Sequence, residues 1–170
     1  MGISVTSEGN VLLLDNSPPM LSIHSADSSL LRSITLPPDM DSPRHVLETS
    51  SGNFIICHGD DESEYVLSQV SEVTLEGHVI RSFGGHLGVG EDLLYIPRYI
   101  TLVPDNLIFV ADGSNNRVMV IDVATFKLRR IIHCRDEKEQ TFPLRLCYRP
   151  EKKQLIVGVV PHWIEVWSVE

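Results

Sequence analysis

Apolar residues fall in short dense runs along this chain, and the runs recur. Val11-Leu12-Leu13-Leu14, Phe54-Ile55-Ile56-Cys57, Leu107-Ile108-Phe109-Val110-Ala111 and the run within 154–160 are all too short for helices. Runs of this length, bounded by turn residues, predict strands buried on both faces. Gly9-Asn10, Gly52-Asn53, Pro104-Asp105-Asn106 and the 150–153 segment supply those turns. A shorter strand is expected before each run (3–7, 46–49, 100–103, 144–148), and another after it (20–24, 65–74, 118–121, 163–169). Pro43, Pro97 and Pro143 precede the first strands of the later groups, where a residue without an N–H is tolerated. A fourth strand is signalled by Leu31-Arg32-Ser33-Ile34, Ile80-Arg81-Ser82-Phe83 and Leu128-Arg129-Arg130-Ile131, the copies starting 49 and then 48 residues apart. No stretch carries helical periodicity, and ten prolines argue against one.

Four short antiparallel strands in about forty residues are the unit of a β-propeller. The pattern predicts an all-β propeller in a single, partial domain, with blades near 3–34, 43–84, 96–133 and 143–170. A flexible linker is expected at 84–90. The fourth blade lacks an outer strand, so the segment from Trp163 to Val169 is expected to be an edge. Such an edge recruits another strand, from residues beyond 170, a second copy or a partner.

One group carries a resemblance. Ile96-Pro97, Leu107-Ile108-Phe109-Val110-Ala111-Asp112 and Asn115-Asn116-Arg117-Val118 resemble an NHL repeat. The resemblance implies an NHL-type propeller, usually of six blades. It also implies a non-catalytic interaction platform like the substrate- or partner-binding domain of TRIM-NHL ubiquitin ligases. Ligase activity would then lie in upstream RING, B-box and coiled-coil domains that this sequence does not contain. Two alternatives come with the family: an RNA-binding propeller, and a metal-dependent lyase or lactonase-like enzyme.

Charge bears on that choice. The net charge is −9 overall, but residues 1–95 hold three arginines against fourteen acids, a net of −11, while residues 96–170 carry +2. A polyanion meets repulsion from the first half, which weighs against RNA. No apolar run approaches the roughly 18 residues of a membrane helix. Cys57, Cys134 and Cys147 form no close pair, which suits reduced thiols and a cytoplasmic location.

Alternating strands put the second-to-third-strand loops on one face with the blade-to-blade crossings. That face carries Asp39, Asp41, Asp60, Asp61, Glu62, Glu64, Glu91, Asp92, Asp136 and Glu137, and it is the expected protein-docking face. Arg44 and Arg98 each follow a proline at the top of an innermost strand, where a guanidinium grips a carboxylate or phosphate or pairs with an acid of a neighbouring blade. His45 and Tyr99 stand where related repeats often have glycine. Tyr99, Asn115, Asn116 and His162 complete the binding candidates. Asp112 and Arg117 match the repeat's acid-to-arginine spacing, which implies a structural brace, with Asp112 accepting N–H bonds from its turn. Four of the seven histidines (His45, His58, His133 and His162) fall on the loop face without ligand spacing, and no nucleophile motif is present. Neither a metal, a cofactor nor a catalytic residue is expected.

Overall fold

The computed structural model describes residues 2–60, 67–104, 106–134, 142–161 and 163–169. They form four antiparallel sheets, each a meander in sequence order. The first contains β1 (Gly2–Val5), β2 (Val11–Asn16), β3 (Pro19–His24) and β4 (Leu30–Thr35). The second contains β5 (His45–Glu48), β6 (Phe54–His58), β7 (Leu67–Val73) and β8 (Val79–His86). The third contains β9 (Pro97–Val103), β10 (Leu107–Asp112), β11 (Arg117–Asp122) and β12 (Lys127–His133). The fourth has three strands, β13 (Phe142–Arg149), β14 (Gln154–Val160) and β15 (Trp163–Ser168). The fold is an all-β array of propeller type with a shortened last sheet. Among the described residues there is no α-helix, and no helix is long and apolar enough to cross a membrane.

Each sheet packs its faces on its neighbours. Inner strands touch in sequence, β1 on β5, β5 on β9 and β9 on β13. Between the first two sheets, Leu12, Leu14, Leu21 and Ile34 meet Val46, Phe54 and Ile56. Ile55, Cys57, Val70 and Phe83 meet Ile100, Val110 and Met119 across the next gap. Phe109, Val118 and Val120 meet Leu146, Leu155 and Val157 across the third. The second strands are therefore covered on both sides, as their unbroken apolar runs require: β6 and nearly all of β10 are buried.

The linker expected at 84–90 is strand for its first three residues. β8 runs on to His86 because glycine lets it: Gly84 takes φ +99°, and a Cβ there would sit 2.5 Å from the Ser68 carbonyl oxygen. Pairing of Gln69 with Gly84 and of Ser68 with Gly85 is thereby preserved. The third-group turn is also shorter than its polar residues imply. Asp112 is the last residue of β10, and a 3-10 turn covers Gly113–Asn115. Tyr65 and Val66, expected in the third strand of the second group, lie outside the described residues.

The repeated fourth-strand arginine has a physical role in two sheets. Arg81 grips Glu72 through its Nε and Nη2, both 2.6 Å from Oε2, and reaches the Ala124 carbonyl of the next sheet. Its guanidinium also lies 4.8 Å from the centre of the Phe126 ring. Arg129 makes the matching bidentate bond to Asp122, at 3.0 and 2.8 Å. β3 ends in His24 and offers Arg32 no such acid.

Val110 is wholly buried at the centre of this packing, paired with Ile100 and Met119. Placing an unpaired carboxylate there costs at least several kcal/mol in practice. Val110→Asp is expected to abolish the cooperative thermal transition. An unchanged melting temperature would contradict the packing.

Candidate functional site

The loop-face geometry follows from four backbone hydrogen bonds. Leu36 donates to Pro19, Gly59 to Asp41, Ser114 to Tyr95 and Cys134 to Asn116. In each of the first three sheets the second-to-third-strand loop is thus tied to a crossing, which sets loops and crossings at one end. Asp39, Asp41, Asp60, Glu91 and Asp92 lie there among the described residues; Asp61, Glu62, Glu64, Asp136 and Glu137 lie outside them, as does His162.

Asp112 and Arg117 form the buried centre of this end. The Asp112 carboxylate, fully buried, accepts from the Tyr95 backbone N–H (2.7 Å), Asn115 Nδ2 (2.8 Å) and Arg117 Nε (2.7 Å). Arg117 spends its remaining donors on the crossing, giving Nη2 to the Gly90 and Leu93 carbonyls at 2.8 and 2.7 Å. Asn115 Nδ2 also reaches the Gly88 carbonyl at 2.9 Å. The brace therefore clamps the crossing that joins the second and third sheets. Asp112 takes its backbone bond from Tyr95 of that crossing rather than from its own turn. Burial pushes the Asp112 carboxyl up, and these three donors pull the other way. Asn116 closes the turn in the left-handed region, φ 49°, with its N–H on the Gly113 carbonyl. Asn115 and Asn116 are thus built into the brace.

Arg44 pairs within its own sheet, giving Nε to the Gly59 carbonyl (3.0 Å) and placing Nη2 3.4 Å from Asp60 Oδ2. Ser42 Oγ donates to the same carboxylate oxygen at 2.8 Å. Arg98 lies across Gly113, where a Cβ would come 2.8 Å from its Cγ. That turn needs glycine because an arginine crosses it.

The inner strands bring together a cluster that lies scattered in the sequence. His45 of β5 stacks on Tyr99 of β9, ring centres 3.7 Å apart and planes 29° apart. Arg145 of β13 lies over the same ring at 5.4 Å. Three consecutive sheets thus contribute an imidazole, a phenol and a guanidinium to one stack. Both His45 ring nitrogens are buried without a hydrogen-bond partner, although only 3% of the residue is exposed. Burial first, and the Arg145 charge second, push this imidazole down to about 4. Tyr99 is half-buried, and burial pushes its hydroxyl up. Cys57, behind His45, is pushed up to about 12 by burial and stays a thiol. Strand patterns do not single out Arg145, yet one signal marks it: His45, Tyr99 and Arg145 each stand two residues after Pro43, Pro97 and Pro143.

His58 is the second buried imidazole, its Nε2 3.0 Å from Ser71 Oγ. Burial pushes it down to about 4, against a weaker upward pull from Asp39. Among the described residues no group of three or more His, Cys, Asp or Glu side chains is placed to hold a metal ion.

No protein-family model and no curated protein matches the sequence. Solved structures do match in fold. A protein of unknown function from Bacteroides caccae superposes with a TM-score of 0.74 at 15% identity, over 92% of this chain and 54% of that one. The WD40 β-propeller domain of Doa1 gives 0.67 at 19% identity, over 96% and 48%. Virginiamycin B lyase of Staphylococcus aureus gives 0.62 at 16% identity, over 98% and 54%. The protein therefore spans about half the length of these structures. Similarity at this level shows the propeller-type fold alone.

Two outcomes follow from the geometry. Arg117→Met keeps the side chain's bulk but leaves Asp112 buried without its charge partner, an expected loss of roughly 3–5 kcal/mol in urea denaturation. A loss under about 1 kcal/mol would mean that the brace is dispensable. The second concerns pH. Unfolded histidine titrates at about 6.5, whereas His45 and His58 resist protonation down to about 4. Their contribution is complete above pH 6.5 and is lost as pH falls towards 4, by up to roughly 3 kcal/mol apiece. The urea midpoint of a His45→Gln/His58→Gln variant is expected to fall less between pH 7 and 4.5 than that of the parent. Equal falls would show that both rings protonate freely in the fold.

Proposed function

We propose that this protein is a non-catalytic binding platform, resembling the partner-binding NHL propeller, that receives a carboxylate of a protein partner on its loop face. The observation that supports this reading is the unsatisfied His45 imidazole beneath Tyr99 and Arg145. A buried polar group without a partner costs about 1–3 kcal/mol, and in a native fold it calls for an explanation. A bound group that bonds to His45 supplies one. Arg44, Arg98 and Arg145 all rise from inner strands or the residue before one, so their charges favour an anion near the stack.

The surroundings narrow the partner. Asp39, Asp41, Glu91 and Asp92 belong to the loop end and take part in none of the ion pairs among the described residues. A carboxylate flanked by basic residues fits this arrangement, its anion inside the arginines and its cations against the acidic rim. A free carboxy terminus preceded by lysine or arginine has that chemistry. RNA does not, because its phosphates would face the acidic rim along their whole length.

A short lysine-rich peptide, with its carboxy terminus free or amidated, distinguishes the readings. The free form is expected to bind roughly tenfold more tightly, the difference made by one charge-assisted contact. The advantage should vanish in Arg145→Gln, and the His45 ring protons should shift in NMR spectra only with the free form. Equal affinity of the two peptides would overturn the proposal. Nanomolar, sequence-dependent binding of single-stranded RNA would replace it with the nucleic-acid reading.

A further inference from the structure

The fourth sheet carries a second surface, distinct from the inner-strand stack. Rows of cross-strand neighbours define it. On the side of the third sheet that faces the fourth, one row runs Phe109, Val120, Arg130 and the next runs Ala111, Val118, Ile132. The facing rows of the fourth sheet are Leu155 with Trp167, Val157 with Glu165, and Val159 with Trp163. They end at β15. Arg130 and Ile132, on the outer strand β12, thus have no strand opposite them among the described residues.

A groove of about 420 Å³ opens at this place. Its floor is Phe109 and Val120, with Ile132 and Arg130 on one wall and Trp167 and Val169 on the other. A second opening of similar volume continues it past His133 and Val166. Arg129 and Arg130 belong to the lining, and no carboxylate does. Lys127 adds a third positive charge to β12, which carries no acid. Glu165, on the adjoining row, accepts from Trp167 Nε1 at 2.8 Å.

The other sheets show what such a place holds. β4 buries Ile34 and exposes the rest of its side chains, and Phe83 is the one buried side chain of β8. An outer strand here needs one large apolar residue inward and tolerates polar residues elsewhere. β15 supplies the unpaired backbone edge for it.

We propose that this groove binds an extended segment of a partner protein that pairs with β15 and alternates apolar with acidic residues. Its apolar side chains cover Phe109, Val120 and Ile132, and its carboxylates meet Arg129 and Arg130. Basic strands such as the protein's own β12 are excluded by the same charges.

Two synthetic peptides test the proposal on the protein as it stands. One alternates isoleucine with glutamate, the other isoleucine with lysine. The glutamate peptide is expected to change Trp167 fluorescence, to protect β15 amides from hydrogen exchange, and to bind roughly tenfold more tightly at low salt. Arg130→Glu, at an exposed position that leaves the fold intact, should reverse the preference. Ile164→Thr, on the opposite face of β15, should leave it unchanged. Equal affinities, or binding without protection at β15, would overturn the proposal. Concentration-dependent self-association that the glutamate peptide does not reverse would assign the groove to a second copy instead, and would overturn it too.

Discussion

The buried pair of Asp112 and Arg117 is the constraint on which the order of this array rests. Apolar faces press one sheet on the next but do not fix the angle or height at which they meet, because burial is non-directional. Direction comes from polar groups with few acceptable geometries. Arg117 takes two crossing carbonyls and one carboxylate through a single planar group, while Asp112 takes the N–H of Tyr95 from the same crossing. The crossing between the second and third sheets is thereby locked to the turn that follows β10. The Arg81 bridge from Glu72 to Ala124 and Phe126 joins the same two sheets through β8 and the turn before β12. Height and angle are therefore fixed at two separate places.

Much of the architecture is legible in the sequence because its determinants are local. Continuous apolar runs report strands covered on both faces, and Pro97 marks the first residue of β9. The recurring fourth-strand arginine is visible as a period, but its reason is not: in two sheets it holds an acid at the end of the third strand. What the sequence hides is non-local or depends on φ. Gly84 and Gly85 look like a linker in sequence, but they allow β8 to stay paired where a side chain would strike Ser68. Arg145 looks like an ordinary surface charge on β13. Its place over Tyr99 follows from the bulge between Pro143 and Arg145 and from the packing of β13 on β9. No pattern within a single strand contains that information.

The charge asymmetry of the sequence acquires a spatial meaning in the fold. The described acids of the first two crossings gather at the loop end, while positive charge collects on inner-strand tops and along β12. A binding face of this kind selects by arrangement rather than by net charge. One long polyanion is repelled, yet a single carboxylate with basic neighbours is not. The inner stack and the β12 groove also differ in what they read. The stack offers side chains to one anionic group, whereas the groove offers a backbone edge and so reads an extended conformation.

Sequential packing of the sheets has a dynamic consequence. Among the described residues the second and third sheets are each flanked by two others, whereas the first and fourth each lean on one. Such a molecule approximates a one-dimensional array in which each unit is stabilised by its neighbours. Opening then proceeds inward from both ends, and the middle pair forms the last cooperative unit to yield. The inner-strand stack straddles that gradient: His45 and Tyr99 sit on the persistent pair, while Arg145 sits on a sheet that frays. Local opening of the fourth sheet would remove the guanidinium and leave the aromatic pair in place, so affinity at the stack is coupled to the integrity of β13 to β15.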